Sequence, residues 1–140
     1  PPKLPIGMGF ISISHCKDAF IICWHHKKIG IDIERSDRDF DYKSLAKKYF
    51  RQENIINSNL NKYLILKEWS AIEAAIKFDR GKLSKDIMEW RYGMDKENLY
   101  HNSKKIKLNL TQLPFLDWII SIAYKNKNLF HPPTIICSNL

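Results

Sequence analysis

Asp32 and Glu34 stand two residues apart in the run Lys28-Ile-Gly-Ile-Asp-Ile-Glu-Arg35, and Glu73 and Lys77 stand four apart in Trp69-Ser-Ala-Ile-Glu-Ala-Ala-Ile-Lys77. A strand turns successive side chains to opposite faces, so Ile29, Ile31 and Ile33 share one face and Gly30, Asp32 and Glu34 the other. Two carboxylates fixed side by side repel each other, and a hard divalent cation offsets that repulsion. Mg2+ in particular takes a few carboxylates together with phosphate oxygens and waters. Glu73 offers a third carboxylate, and Ser14-His15 adds an imidazole able to hydrogen-bond a phosphate. Each feature also has a plainer reading. An Asp-x-Glu pair on a half-exposed strand can simply face water, and a histidine at a strand end is commonly just exposed. Glu and Lys at i, i+4 stabilise a helix by roughly 0.2–0.5 kcal/mol whatever else they do. Trp69 and Trp118 read as core residues.

The elements that must position these residues follow from periodicity. Residues 10–14, 19–24 and 28–34 alternate as three strands, with His25-His26-Lys27 as a tight connection before the third. Residues 36–39 are loop-like, 42–50 have helical spacing with Leu45 and Tyr49 on one side, and 52–57 predict a second short helix. The longest helix is expected over 61–78, where Ile65, Trp69, Ile72 and Ile76 form an apolar stripe that faces the sheet. Leu66, Ser70, Glu73 and Lys77 make the adjacent stripe. Asp79-Arg80-Gly81 ends this helix, and strands are expected at 87–92, 106–110, 118–124 and 134–137. Strands, then helices, then strands predict an α+β fold with a mostly antiparallel sheet, in a single domain spanning residues 1–140.

Composition narrows the class. With 44% hydrophobic residues in 140, the chain can bury a real core, which argues against disorder. No apolar run approaches the roughly 18–20 residues needed to span a bilayer. Cys16, Cys23 and Cys137 are odd in number with no Cys-x-x-Cys spacing, so reduced thiols and a cytoplasmic location are expected rather than a disulfide framework or a zinc site. The net charge of +8 favours an anionic partner, whether nucleic acid, a polyphosphate or an acidic protein. Pro1-Pro2-Lys3-Leu4-Pro5 has neither a secretory signal nor an initiator methionine, consistent with a trimmed chain or a piece of a longer one.

Taken in order, these segments resemble the 4′-phosphopantetheinyl transferase superfamily, and its surfactin-synthetase-activating type more than its short type. The matching residues are Ile13-Ser14-His15, Gly30-Ile31-Asp32-Ile33-Glu34, Phe50 with Glu53, Trp69-Ser70-Ala71-Ile72-Glu73-Ala74-Ala75-Ile76-Lys77, and Leu83-Ser84. The resemblance runs from about residue 10 to residue 90, with a strand tail to residue 124. Pro2-Lys3-Leu4-Pro5 faintly echoes the Gly-Lys-Pro-x-Leu-Pro segment that follows the first half of two-domain members. Ile72 stands where the family usually has a lysine, the glycine-rich turn is partly kept as Arg80-Gly81-Lys82, and Cys16 replaces a serine.

The resemblance implies a transferase-like α+β fold, a mostly antiparallel sheet packed on a long helix and short helices, in what corresponds to the C-terminal half of a two-domain enzyme. It implies Mg2+-dependent transfer of 4′-phosphopantetheine from coenzyme A to a serine of an acyl or peptidyl carrier protein, releasing adenosine 3′,5′-bisphosphate. By similarity Asp32, Glu34 and Glu73 hold the metal, and Glu73 or a metal-held water takes the serine proton. Lys77 neutralises phosphate charge and His15 contacts the 3′-phosphate. Lys28 meets a phosphate or the carrier. Carrier proteins are acidic, which gives the basic surface a reason, and short members assemble from subunits, which makes a homo-oligomer an expected alternative to a missing N-terminal half. Two other readings stay open. The chain can be a transferase-like binding or assembly module without full activity. It can also be a basic nucleic-acid-binding domain using Tyr42, Tyr49 and Phe50, although it carries no recognised nucleic-acid motif.

Overall fold

The computed structural model describes residues 3–50, 61–125 and 134–139. The three alternating segments that open the chain form β1 (Phe10–Cys16), β2 (Ala19–His25) and β3 (Ile29–Arg35). The helical segments form α1 (Tyr42–Tyr49), α2 (Lys62–Asp79) and a single turn, α3 (Leu83–Asp86). The remaining strands are β4 (Trp90–Tyr92), β5 (Asn98–His101), β6 (Lys107–Phe115), β7 (Trp118–Tyr124) and β8 (Thr134–Asn139). The expected α+β class with antiparallel pairing is what forms. The strands divide into a three-stranded sheet of order β1-β2-β8 and a five-stranded sheet of order β3-β7-β6-β5-β4, antiparallel at every pairing.

β3 is an edge strand of the larger sheet, and β1 closes that edge by an unusual route. Ser12 Oγ accepts from the Ile31 N–H at 3.0 Å, and Ser14 Oγ accepts from the Ile33 N–H at 3.3 Å. Side-chain hydroxyls thus satisfy main-chain donors that an open sheet edge leaves exposed. Both faces of β3 are covered. Ile29, Ile31 and Ile33 pack with Ala19, Ile21, Cys23, Ile120 and Ile122, while the Gly30, Asp32 and Glu34 face meets α2. Cys23 belongs to that first cluster, and burial pushes its thiol up to about 12, so it behaves as a small apolar residue.

α2 starts at Asn61, whose side chain accepts from the Tyr63 N–H, and stops at Arg80, which takes a left-handed φ of 57° while its N–H bonds to the carbonyls of Ile76 and Lys77. The predicted stripe is buried at Ile65, Ile72 and Ile76, with Trp69 only partly buried. Burial is wider than one stripe, because Leu66, Ser70, Ala71, Ala74, Ala75 and Phe78 are buried as well. Among the described residues no helix is long and apolar enough to cross a membrane.

Three expectations change in the second half. The strand expected over 87–92 is confined to Trp90–Tyr92, because the chain first makes the helical turn Leu83–Asp86, whose residue Asp86 accepts from the Lys82 N–H at 2.6 Å. β5 escapes the periodicity altogether. Asp95 holds its turn by accepting from the N–H groups of Glu97 and Asn98. β6 runs five residues beyond the predicted end through Pro114, which stands opposite Ile119 in the hairpin with β7. The short helix expected over 52–57 lies outside the described residues.

Candidate functional site

The site is assembled by one close approach. A Cβ at Gly30 would lie 2.0 Å from the Ala74 carbonyl oxygen and 2.4 Å from the Phe78 nitrogen, so the α2 backbone can rest on β3 only where β3 has no side chain. Ala71, Ala74 and Ala75 keep the helix face small as well. The result carries Glu73 and Lys77 over the two residues that follow Gly30 on the same strand face.

Asp32 is 2% exposed and lies at the centre. Its Oδ1 accepts from Lys77 Nζ at 2.6 Å and from Ser14 Oγ at 2.8 Å, and Lys77 Nζ also donates to Ser14 Oγ at 2.7 Å. Glu73 Oε2 stands 3.8 Å from the same Nζ. Asp32 Oδ2 is buried without a hydrogen-bond partner. Glu34 is buried too, and its Oε2 accepts from Arg38 Nη1 at 2.8 Å. Neither carboxylate points into water, so the plainer reading of the Asp-x-Glu pair is overturned: α2 covers the face that a half-exposed strand would leave wet.

Three carboxylates therefore share two cations, Lys77 and Arg38, and the imbalance shows in their acidity. Burial, then the neighbouring Asp32 charge, raises Glu73 to about 7 against the pull of Lys77. Burial and Asp32 also raise Glu34, against Arg38. Between the ordinary glutamate range and about 7, the folded chain holds a proton on Glu73 that the unfolded chain has released. Stability from this group consequently falls as pH rises through that window and returns as pH falls. With a metal chelator present, the wild-type protein is expected to lose on the order of 1–3 kcal/mol from this source between about pH 5 and about pH 8. Urea denaturation across that range checks it, and Glu73→Gln should flatten the dependence; an unchanged slope in that variant would refute the assignment.

No protein-family model matches this chain, and no curated protein matches it. The reading of the site therefore rests on its own chemistry. Among the described residues no three His, Cys, Asp or Glu side chains close on one point as a ready ligand set, and the Lys77 ammonium sits among the acids instead. The donor chemistry nonetheless fits a hard cation. All the donors are carboxylate oxygens, one buried acceptor on Asp32 has no partner, and negative charge is in excess. Asp32, Glu34 and Glu73 are the residues that would hold it.

The other expected residues are placed less centrally. His15 is exposed and lines a cavity of about 670 Å3 that reaches Glu34. The arginines there are already engaged. Arg35 bonds Asp18 at 2.5 Å and Asp37 at 2.5 and 2.8 Å, and Arg38 holds Glu34. Lys28 precedes β3, at the end away from Glu34, with its Nζ 4.8 Å from the centre of the Phe78 ring. Ile72 is 2% exposed and packs in the main core, so position 72 faces away from the acids and a lysine there would have to leave the core. Two participants, Ser14 and Arg38, have no role assigned to them by motif or spacing. Ser14 enters the motif only beside His15, yet it bonds both Asp32 and Lys77. Its signal is Ser12-x-Ser14, two hydroxyls on the inner face of an otherwise apolar strand. Arg38 has only its spacing of four from Glu34.

Proposed function

We propose that the chain is a phosphopantetheinyl transferase-type domain, acting on coenzyme A and an acyl or peptidyl carrier protein. The observation that carries the reading is the Asp32–Lys77 pair with Glu73 beside it and Glu34 two residues along the same strand face, drawn from two distant segments that come together where β3 has no side chain at Gly30. The same residues carry the motif resemblance, and their chemistry suits phosphoryl transfer. Bound Mg2+ would supply charge stabilisation at the pyrophosphate. The carrier serine oxygen attacks the β-phosphorus of coenzyme A, the bond to the adenosine 3′,5′-bisphosphate oxygen breaks, and the serine proton passes to the Glu73 carboxylate. An ionised carboxylate within reach of the serine hydroxyl is suited to that task. Lys77 offsets phosphate charge, and Ser14 holds Lys77 in register with Asp32.

Incubation with coenzyme A, Mg2+ and an apo carrier protein, followed by mass measurement of the carrier, tests this directly. A gain of one phosphopantetheine is expected, and Asp32→Ala should lower the rate by at least about 100-fold, the scale of losing a charge-stabilising group in a phosphoryl-transfer site. A carrier whose mass never changes would favour the second reading, a transferase-like binding or assembly module. The apolar core side chain at position 72, where the family has a cation, is the observation that supports it.

A further inference from the structure

One polar row crosses the sheet face that α2 covers. Asp32 on β3 stands directly opposite Ser121 on β7, and Ser121 stands directly opposite Gln112 on β6. Tyr92 on β4 joins the row through its hydroxyl, 2.9 Å from Gln112 Oε1. From α2, Ser70 bonds Ser121 and the Lys67 carbonyl bonds Gln112. Ser70 and Ser121 are wholly buried, and the row is flanked on this face by Leu108, Leu110, Ile119 and Ala123.

The Lys67 carbonyl sets the direction of the hydrogen bonds along the row. It can only accept, so the group 2.8 Å from it must be the Gln112 amide nitrogen. Gln112 Oε1 then faces Tyr92, whose hydroxyl must donate; the Lys96 carbonyl, at 3.5 Å, is the more distant acceptor. The second Nε2 hydrogen goes to Ser121 Oγ at 2.9 Å, and Ser70 Oγ donates to the same oxygen at 2.9 Å. Both lone pairs of Ser121 are thereby filled. Its own proton must go elsewhere, and among the described residues nothing accepts it.

The complementary group is Asp32 Oδ2, buried and without a partner, while Oδ1 takes both Lys77 and Ser14. Directly opposed residues of an antiparallel pair have Cβ atoms about 4.5–5.5 Å apart, so a small rotation of either side chain closes the contact. A buried donor and a buried acceptor each cost free energy until they meet. Packing of α2 on the sheet accounts for Ser70 and Gln112. It gives no reason for an unplaced hydroxyl proton next to an unpartnered carboxylate oxygen.

We propose that Ser121 is a positioning residue: it donates to Asp32 Oδ2 and holds that carboxylate in the orientation that receives Mg2+. This role rests on the reading of Asp32, Glu34 and Glu73 as cation ligands. A ligating carboxylate oxygen keeps a lone pair for such a donor, and outer hydrogen bonds of this kind orient metal ligands. The donors behind Ser121, from Tyr92 through Gln112, polarise its O–H toward Asp32.

Calorimetric titration of the whole chain with Mg2+ tests it, read beside phosphopantetheine transfer to an apo carrier protein. Ser121→Ala is expected to weaken Mg2+ binding about tenfold, the lower end of the losses seen when an outer partner of a metal ligand is removed. At subsaturating Mg2+ its kcat should fall while KM for the carrier holds, and excess Mg2+ should restore the rate. Ser121→Thr, which keeps the hydroxyl, should stay close to wild-type affinity. Ser70→Ala removes an equally buried hydroxyl from the helix side and should weaken binding far less. Circular dichroism confirms that each variant is folded. Wild-type affinity in Ser121→Ala would overturn the proposal and leave the metal site standing. Equal weakening by Ser70→Ala would overturn it too, as the mark of a generally loosened core. A wild-type chain that binds no Mg2+ would remove the metal reading and this role together.

Discussion

Gly30→Ala is expected to cost about 3 kcal/mol of stability, the upper part of the range for overpacking a filled interior. The added methyl would meet the Ala74 carbonyl oxygen at 2.0 Å and the Phe78 nitrogen at 2.4 Å. Both are main-chain atoms inside α2, so no rotamer change relieves the clash and the helix must move as a body. That movement would draw Lys77 away from Asp32, and any transfer activity should fall with stability. Urea denaturation and the carrier mass assay measure the two effects. A variant with wild-type stability would mean that helix and strand are not in contact at Gly30. Gly81→Ala is a weaker change, because there the nearest obstacle is the Asp86 side chain, which can rotate.

Lys77→Met should destabilise the chain by about 3 kcal/mol in chelator, because it leaves the buried Asp32 carboxylate without its cation. Two separate contributions make up that figure. The 2.6 Å pair is lost, and the repulsion among Asp32, Glu34 and Glu73, which after burial is what raises the pKa of both glutamates, loses its main counterweight. Asp32→Asn combined with Lys77→Met should therefore cost less than the sum of the single changes, with a coupling of about 1–3 kcal/mol in a double-mutant cycle. Additive costs would refute a direct Asp32–Lys77 interaction. Added Mg2+ is expected to restore more stability to Lys77→Met than to the wild-type protein, since a divalent ion can take over the neutralising role the lysine has given up. If Mg2+ stabilises neither protein, the carboxylates do not hold that metal.

Much of the framework was legible because it is local. β1, β2, β3 and β7 follow from alternation, and α2 follows from its apolar spacing together with the Asn61 and Asp79-Arg80-Gly81 boundaries. What escaped prediction depends on how strands pair with one another. β6 continues through Pro114 because β7 offers it a partner as far as Phe115 and Trp118, a fact about the hairpin and not about β6. β5 is only four residues long, with too little alternation to stand out before its pairing with β4 and β6 is known.

The site divides along the same line. Residue types and spacing alone determined that Asp32 and Glu34 share a strand face, that Glu73 and Lys77 share a helix face, and that these are groups suited to a cation and a phosphate. Periodicity is a property of one element, so one segment suffices to reveal it. Only the tertiary structure decided that the strand face is dry, that Lys77 crosses to Asp32 rather than resting on Glu73, and that Ser14 and Arg38 complete the arrangement. It alone also set Lys28 over the Phe78 ring, away from Glu34. Burial and charge pairing are relations between elements. Their strength depends on distance and on the exclusion of water, and both arise here from the approach of α2 to β3 over a residue that has no side chain.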